Sequence, residues 1–355
     1  MLRQALRIRG SWRSSFVPRP VRSFGSSSPV SKNHDDDKGN RWTKYQEFLT
    51  KELINKSLLG VGQVIFLNNP QSGMILLGAL AYGNPFLASM AAYGTLVSTS
   101  TAHFAGLDRD KLQAGLYGYN GCLVGCASAV FVDSTILATT AGALLCPFVG
   151  VALDKGVRTT PQWTLAFNAV TLSILLRTKP LQVTSSIEGD TTVVETASVS
   201  VMKLLSGPLK GISQIFVVES SLSGLAILGG IALYSPLLAA HAIMGSTVGT
   251  LTGAVLSAPS SELAMGLWGF NSALTSMAIG VFFVPNREST VLSVGGAAAT
   301  AVLFGAMKTV MGDALGAPAL TLPFCATATG CYWLAGNVPG LLLAKDPHSP
   351  EKNKL

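Results

Sequence analysis

A few polar side chains recur in pairs along a chain that is otherwise strongly apolar. Gln214 lies 151 positions after Gln63, and Thr164 in the phrase WTLAF is matched by Thr321 in LTLPF. A glutamine offers a carbonyl oxygen and an NH₂ group, and a threonine offers a hydroxyl. Phe66 follows Gln63 by three residues and adds a flat apolar face. Together these groups can replace the hydrogen bonds that a small neutral molecule leaves behind in water.

Two related glycine-rich phrases accompany these groups, GLYGYNG at 115–121 and GLWGFNS at 266–272. Each contains an aromatic residue followed one helical turn later by a leucine: Tyr119 and Leu123, Phe270 and Leu274. Their glycines allow the backbone to bend and to be approached closely. Aromatic faces beside amide groups suit a planar, uncharged solute. No Asp, Glu, Lys or Arg recurs at equivalent positions of the two halves, so we expect no binding of a charged solute.

An internal repeat must position these residues. Other pairs separated by the same 151 positions are Gly73 and Gly224, Pro85 and Pro236, Asn120 and Asn271. Two homologous membrane halves place a functional site at their interface, near the middle of the bilayer. Few apolar runs reach the ~20 residues of a simple spanning helix before a Gly, Pro or charged residue interrupts them. We therefore predict about five transmembrane helices and two re-entrant half-helices per half, an odd number of spans that would invert the second repeat.

The composition supports a membrane protein. The 355 residues are 48% hydrophobic and only 12% charged, with a mean hydropathy of +0.44, whereas soluble domains contain about 25% charged residues. We predict an all-α integral membrane protein in a lipid bilayer. Its segments are a leader at 1–34, a polar and amphipathic segment at 35–56, repeat 1 at 57–177, a polar linker at 178–203, repeat 2 at 204–343 and a solvated polar tail at 344–355.

The leader at 1–34 contains seven basic residues and no acidic one, which equals the whole net charge of +7. The body of the chain is therefore neutral, and no nucleic-acid partner is expected. A leader rich in Arg and Ser and free of carboxylates is typical of a transit peptide. It predicts the mitochondrial inner membrane, or the plasma membrane if the segment is instead a cytoplasmic tail.

The sequence offers little for catalysis or metal binding. Its five cysteines include no C-x-x-C pair, and no histidine lies near Cys122 and Cys126. Neither a metal set nor a Ser/His/Asp arrangement is visible. We predict no metal, no cofactor and no enzymatic activity.

The phrase NNPQSG at 68–73, followed by GLYGYNG, GLWGFNS and a T-x-x-F in each half, resembles the urea transporter family over residues 57–343. The resemblance implies a homotrimer with one pore per subunit, through which urea passes passively between aromatic plates. It also implies Gln63 and Gln214 at the two mouths and Thr164 and Thr321 at the constriction. The implied slot walls are Phe66, Tyr119 and Leu123 on one side and Ile215, Phe270 and Leu274 on the other.

The second half departs from this pattern. It has Glu219-Ser220-Ser221 where the family has D-N-P or N-N-P, and Val217 where the first half has Phe66. We expect Glu219 to be able to cap a helix N-terminus and the second mouth to be wider. An intramembrane carboxylate also keeps an alternative open, an ion-coupled secondary transporter. A channel for short amides or ammonia is a selectivity variant of the first hypothesis.

Overall fold

The computed structural model describes residues 51–156, 160–178 and 201–353, together with residues 43 and 46. Within these ranges the regular structure is helical, apart from a single antiparallel bridge between Phe283 and Leu343. The predicted all-α fold is therefore confirmed for the described part of the chain. The leader at 1–34 and linker residues 179–200 lie outside it.

Within the described ranges, seven helices belong to each half. Those of the first half are α1 (Leu53–Gln63), α2 (Pro70–Gly83), α3 (Pro85–Phe104), α4 (Arg109–Gln113), α5 (Tyr119–Phe131), α6 (Thr135–Gly156) and α7 (Leu165–Leu175). Those of the second half are α8 (Val201–Gln214), α9 (Ser221–Tyr234), α10 (Pro236–Val255), α11 (Ser260–Ala264), α12 (Phe270–Phe282), α13 (Arg287–Leu315) and α14 (Leu322–Leu334). The order and relative lengths agree, as expected from the internal repeat.

Both repeats begin earlier than the sequence pattern predicted. Helix α1 begins at Leu53 rather than 57, and α8 begins at Val201 rather than 204, inside the predicted linker. Leu53 is buried, so the first turn of α1 already packs against the body of the protein. Because the residues around Leu53 are polar, the sequence pattern assigns this turn to the preceding segment, 35–56.

Helix starts are fixed by side chains at equivalent positions of the two halves. Asn69 and Asn84 accept backbone N–H groups at the starts of α2 and α3. Ser220 and Ser235, each 151 positions later, do the same for α9 and α10. Asn and Ser are both strong N-cap residues, so the two halves conserve the cap with different chemistry.

The apolar helices include some that are long enough to cross a membrane and some that are shorter. In the part of the chain that the structure describes, α6, α10 and α13 are long and apolar enough to cross a membrane, with 22, 20 and 29 residues. Helices α5, α7, α9 and α12 are apolar but contain only 11–14 residues. At 1.5 Å per residue they reach about 21 Å at most, less than the ~30 Å hydrocarbon core.

The two halves meet through equivalent helices: α2 packs against α9, and α7 approaches α14. Within each half the most extensive helix contact is between α3 and α5, or between α10 and α12. Glycines permit that approach, since a Cβ at Gly121 would collide with the Gly94 carbonyl and one at Gly125 with the Met90 carbonyl. Small residues at such contacts are typical of membrane helices.

The tail does not stay in solvent, contrary to our expectation for residues 344–355. Ser349 and Asn353 are buried. The Asn353 amide donates to the carbonyl oxygens of Gly280, Val281 and Phe283, at 3.1, 2.6 and 3.2 Å. The end of α12 leaves these carbonyls without helical partners, and the tail supplies a donor for them.

Candidate functional site

A vestibule of about 230 Å³ opens between the start of α5, the end of α1 and the segment before α7. Four of the ten predicted site residues line it: Gln63, Phe66, Tyr119 and Thr164. These four are separated by up to 101 positions in sequence, and the fold brings them around one space, which can hold a molecule considerably larger than a water.

The vestibule walls are mainly aromatic. Phe66 meets Phe282 and Phe324 edge to face, with ring centroids 6.2 and 6.4 Å apart. Trp163 contacts the same two rings at 5.1 and 5.7 Å. Edge-to-face contacts add to the energy of burial, so the wall is a cluster of mutually supporting rings rather than a set of free side chains.

A backbone carbonyl holds Gln63 in one orientation. Gln63 Nε2 donates to the Ala114 carbonyl at 2.9 Å. Gln214 Nε2 makes the equivalent bond to the Met265 carbonyl at 3.0 Å. This bond uses one of the two N–H donors and fixes the amide, so the side-chain oxygen can accept from a solute and the second N–H can donate to one.

The two predicted threonines meet where the halves join. Thr164 Oγ1 and Thr321 Oγ1 lie 2.7 Å apart, and both residues are buried. Asn168 donates to Thr321 Oγ1 at 2.8 Å and accepts its backbone N–H at 3.1 Å. Cys325 Sγ lies 3.2 Å from Thr164 Oγ1. This polar cluster is enclosed by apolar core on both sides.

Two asparagines anchor the helices that carry these threonines. Asn120 Oδ1 accepts the backbone N–H of Phe167 at 3.2 Å, and Asn271 Oδ1 accepts that of Phe324 at 3.3 Å. The start of α5 is thus tied to the start of α7, and α12 to α14 in the same way. The same asparagine bond therefore joins two helix starts in each half.

The backbone is strained at the same two positions in each half. The angle φ is 64° at Phe66 and 60° at Val217, and 49° at Trp163 and 48° at Leu320. Positive φ is unfavourable for bulky residues and persists only where the surroundings enforce it. In the first half these positions are Phe66 itself and the neighbour of Thr164, so the strain lies at the vestibule.

The other predicted site residues lie outside the vestibule. Leu123, Ile215 and Leu274 are at most 2% exposed and belong to the central core. Phe270 packs edge to face on Phe304 at 5.7 Å. Thr321 reaches the site through Thr164, as described above, and Gln214 lies at the corresponding position of the second half.

Charged residues also line the vestibule, and one of them, Lys111, belongs to the otherwise exposed stretch 108–111. The stretch opens helix α4, with Asp108 as its N-cap. Lys111 Nζ pairs with Asp154 Oδ2 at 2.5 Å, and both residues line the vestibule. Burial lowers the pKa of Lys111, but the bond to Asp154 outweighs it and leaves that pKa above its usual value. Lys111 therefore keeps its positive charge at neutral pH.

Glu219 does not cap α9, contrary to our expectation. Its carboxylate pairs with Lys210 Nζ at 2.8 Å, and its side chain is 45% exposed. The cap is Ser220, whose Oγ accepts the N–H of Ser223 at 3.1 Å. A hydroxyl at this position matches Asn69 of the first half, so the unusual second-half sequence keeps the geometry of the helix start.

Sequence reasoning missed the vestibule residues Trp163, Phe282 and Phe324. Trp163 directly precedes Thr164, and Phe324 ends the T-x-x-F phrase, so the motif itself could have identified both. Phe282 carries no such signal, because it is simply the last residue of an apolar helix.

The described ranges contain no group of three or more His, Cys, Asp or Glu residues that could hold a metal ion. The five cysteines are buried and unpaired. The groups that line the site are amides, hydroxyls, backbone carbonyls and aromatic rings, together with the Lys111–Asp154 ion pair.

Comparison with known proteins agrees with this site. The model of the family described as urea transporter matches residues 54–336. The chain belongs to the urea transporter family. Urea transporter 1 of Ovis aries is 34% identical over 322 residues, which cover 86% of this chain and 83% of the relative. Urea transporter 1 of Rattus norvegicus is 35% identical over 286 residues, covering 76% and 73%. As a member of the family, the chain is a multi-pass membrane transport protein and not an enzyme.

Proposed function

We propose that this protein conducts urea passively, in the manner of a channel, through a narrow slot between its two repeats. The observation that carries the proposal is the Thr164–Thr321 contact at the junction of the halves, with Gln63, Tyr119 and Trp163 lining the space in front of it. Membership of the urea transporter family supports urea as the solute.

Urea is planar and uncharged, with one carbonyl oxygen and two NH₂ groups. The oxygen atoms on offer are Gln63 Oε1, the Trp163 carbonyl and the Thr164 hydroxyl. They can accept its N–H groups in turn, and the rings of Phe66 and Tyr119 can cover its faces. A neutral solute needs replacement hydrogen bonds and no counter-charge.

The proposed route continues into the second half through the residues equivalent to those of the first mouth. The solute passes from Thr164 to Thr321. The wall there is formed by Ile215, Phe270 and Leu274, and Gln214 lies at the second mouth. Opening this half requires small movements of Ile215 and Leu274, which are buried in the core. We propose that the repeats are inverted, each with five spanning helices and two re-entrant ones.

Ion-coupled transport is the less favoured alternative. Coupling needs an ionisable residue or an ion cage within the membrane, and Glu219 was the candidate. It is paired with Lys210 and partly exposed, so nothing observed at this residue favours coupling.

Assembly and location complete the proposal. We propose a homotrimer in the lipid bilayer, located in the mitochondrial inner membrane if residues 1–34 act as a transit peptide and otherwise in the plasma membrane. Fusing residues 1–34 to a fluorescent protein tests the leader directly. Import and cleavage of the fusion would support the mitochondrial assignment, and a diffuse, uncleaved fusion would exclude it.

The transport proposal is tested by radiolabelled urea uptake into proteoliposomes carrying residues 35–355. We expect rapid uptake that does not change between pH 6 and 8 and needs no ion gradient. Gln63→Leu, and the double variant Gln214→Ala with Phe270→Ala, should each reduce it. The exposed Gln71→Ala serves as control because its side chain lies outside the vestibule.

Acetamide and ammonia uptake are measured in parallel. Intact trimeric protein that passes either of them, but not urea, would transfer the proposal to that solute. Uptake that requires a proton or sodium gradient would replace the channel with a coupled transporter.

A further inference from the structure

Each half contains one ion pair that links its short helix to the following long helix. In the first half Lys111 of α4 pairs with Asp154 of α6 at 2.5 Å. In the second half Glu262 of α11 pairs with Lys308 of α13. All four residues are partly shielded, and the carboxylates are the less exposed partners, at 31% for Asp154 and 18% for Glu262.

The two pairs occupy equivalent positions with their signs exchanged. Glu262 lies 151 positions after Lys111, the spacing of the mouth glutamines. Lys308 lies 154 positions after Asp154, the spacing of Gly142 and Gly296, which make equivalent contacts on α6 and α13. The pairs leave no repeat of like charges in the sequence, because the positive and the negative residue change places between the halves. Each half therefore has one positive and one negative residue in this pair, and the two signs stand at exchanged positions.

The short helices lead directly to the mouth glutamines. Ala114, immediately after α4, provides the carbonyl that binds Gln63 Nε2, and Met265, immediately after α11, provides the one that binds Gln214 Nε2. A helix of five residues makes few internal hydrogen bonds and is not stable by itself. Contacts outside the helix therefore keep each carbonyl in place, and the ion pair acts there beside the buried Leu112 of α4 or Leu263 of α11.

We propose that Lys111–Asp154 and Glu262–Lys308 are positioning pairs, which act through α4 and α11 to hold the mouth glutamines in the orientation that receives the solute. Their effect on flux rests on the proposed function, whereas their effect on glutamine geometry does not. The second pair has an additional support, since Glu262 Oε2 also accepts Trp268 Nε1 at 2.9 Å.

The test reverses charges in the first half to reproduce the order found in the second. Lys111→Glu and Asp154→Lys are made singly and together. Hydrogen–deuterium exchange is followed in residues 60–67 and 111–116, and urea uptake is measured on the same proteoliposomes. We expect each single reversal to speed exchange in both segments at least about fivefold and to lower uptake similarly, because like charges then face each other. The double reversal should restore both readouts.

Two comparisons make the result decisive. Asp133→Lys changes the charge equally in an exposed loop and should leave exchange at 60–67 unchanged. Lys111→Met and Asp154→Asn replace the reversals should a reversed protein fail to fold. Glu262→Lys with Lys308→Glu tests the second half in the same way, with residues 211–218 as the reporting segment.

The proposal is overturned if folded single variants exchange at 60–67 like the parent, or if the double reversal stays as fast as the single ones. Faster hydrogen–deuterium exchange without any change in urea uptake would also overturn the proposal, because the pairs would then have only a structural role. Absence of urea uptake by the parent protein would instead reject the proposed function, and the exchange data would still decide whether the pairs position the glutamines.

Discussion

At the residue scale, the paired hydroxyls of Thr164 and Thr321 are the part of the site that depends most on buried hydrogen-bond partners. Valine has nearly the shape of threonine but no hydroxyl, so Thr321→Val leaves Thr164 and Asn168 short of a buried partner. We expect urea uptake to fall about tenfold, since one lost hydrogen bond costs roughly 1 kcal/mol and an orphaned polar group somewhat more. Stopped-flow or radiolabelled uptake at matched protein content measures the effect.

Thr171→Val is the matched control. Thr171 lies on the same helix as Asn168, and its buried hydroxyl has no hydrogen-bond partner. Removing that hydroxyl should leave uptake within about twofold of the parent, because no bond is broken. Equal losses in the two variants would mean that hydroxyls at the junction of the halves have no special part in transport.

Tyr119 gives a second prediction at this scale. Its hydroxyl donates to the Trp163 carbonyl at 2.6 Å, and the equivalent residue of the second half is Phe270, which lacks that hydroxyl. We expect Tyr119→Phe to retain the aromatic wall and to keep urea uptake within about threefold, while thermal stability in detergent falls modestly, by about 1 kcal/mol for one hydrogen bond. Tyr119→Ala removes the wall and should abolish most uptake. A loss in the Phe variant as large as in the Ala variant would assign the essential role to the hydroxyl.

Duplication in the repeat drew attention to some vestibule residues, but it does not account for all of them. Gln63 and Thr164 were singled out because Gln214 and Thr321 repeat them, and Phe66 was singled out although Val217 takes its place in the second half. Phe282 was missed, since its place beside Phe66 depends on how α12 ends against α1, a long-range contact with no local pattern. The ion pairs were missed because the positive and the negative residue change places between the halves, so that no charge of the same sign is repeated.

At the scale of elements, glycines decide how closely α5 can approach α3. A Cβ at Gly125 would overlap the Met90 carbonyl, which belongs to backbone and cannot move aside cheaply. Gly125→Ala should therefore lower stability by about 1–3 kcal/mol, the usual cost of overpacking. Gly78→Ala is the control, because nothing lies within 4 Å of a Cβ there and alanine favours a helix over glycine. Thermal unfolding in detergent should show opposite shifts; a destabilised Gly78→Ala or an unaffected Gly125→Ala would contradict this account.

The presence of short apolar helices was within reach of the sequence, and the exact helix ends were not. Gly, Pro and charged residues interrupt the apolar runs and indicated short pieces, and α5, α7, α9 and α12 have such lengths. The start of α9 was predicted less well, because Glu219 looked like the equivalent of a capping residue. The structure caps α9 with Ser220, and only the position of the backbone N–H groups distinguishes the two neighbours.

At the scale of the whole molecule, the tail joins two helices of the second half. Glu351 accepts Ser235 Oγ at 2.6 Å and the Leu237 N–H at 2.8 Å, at the start of α10. Asn353 binds the carbonyls at the end of α12, on either side of the vestibule residue Phe282. A polar sequence alone could not predict this docking, because its partners are backbone groups exposed only at helix ends.

Docking of the tail should depend on pH through Glu351. Burial raises the pKa of this carboxyl, but the hydrogen bonds from Ser235 and Leu237 outweigh burial and place the pKa below its usual 4.5. A carboxyl with a depressed folded pKa stabilises the docked state above its unfolded pKa, and this contribution disappears as the pH falls through the folded pKa. Hydrogen–deuterium exchange in residues 346–353, corrected for intrinsic rates, should therefore be constant from pH 7 to about 5.5 and accelerate below 4.5.

The control is Glu351→Gln, whose side chain cannot ionise. This variant should show weaker docking of the tail at pH 7 and no acceleration of exchange as the pH falls. Because Asp346, His348 and Lys352 are common to both proteins, an identical step in the glutamine variant would assign the pH dependence to one of them instead.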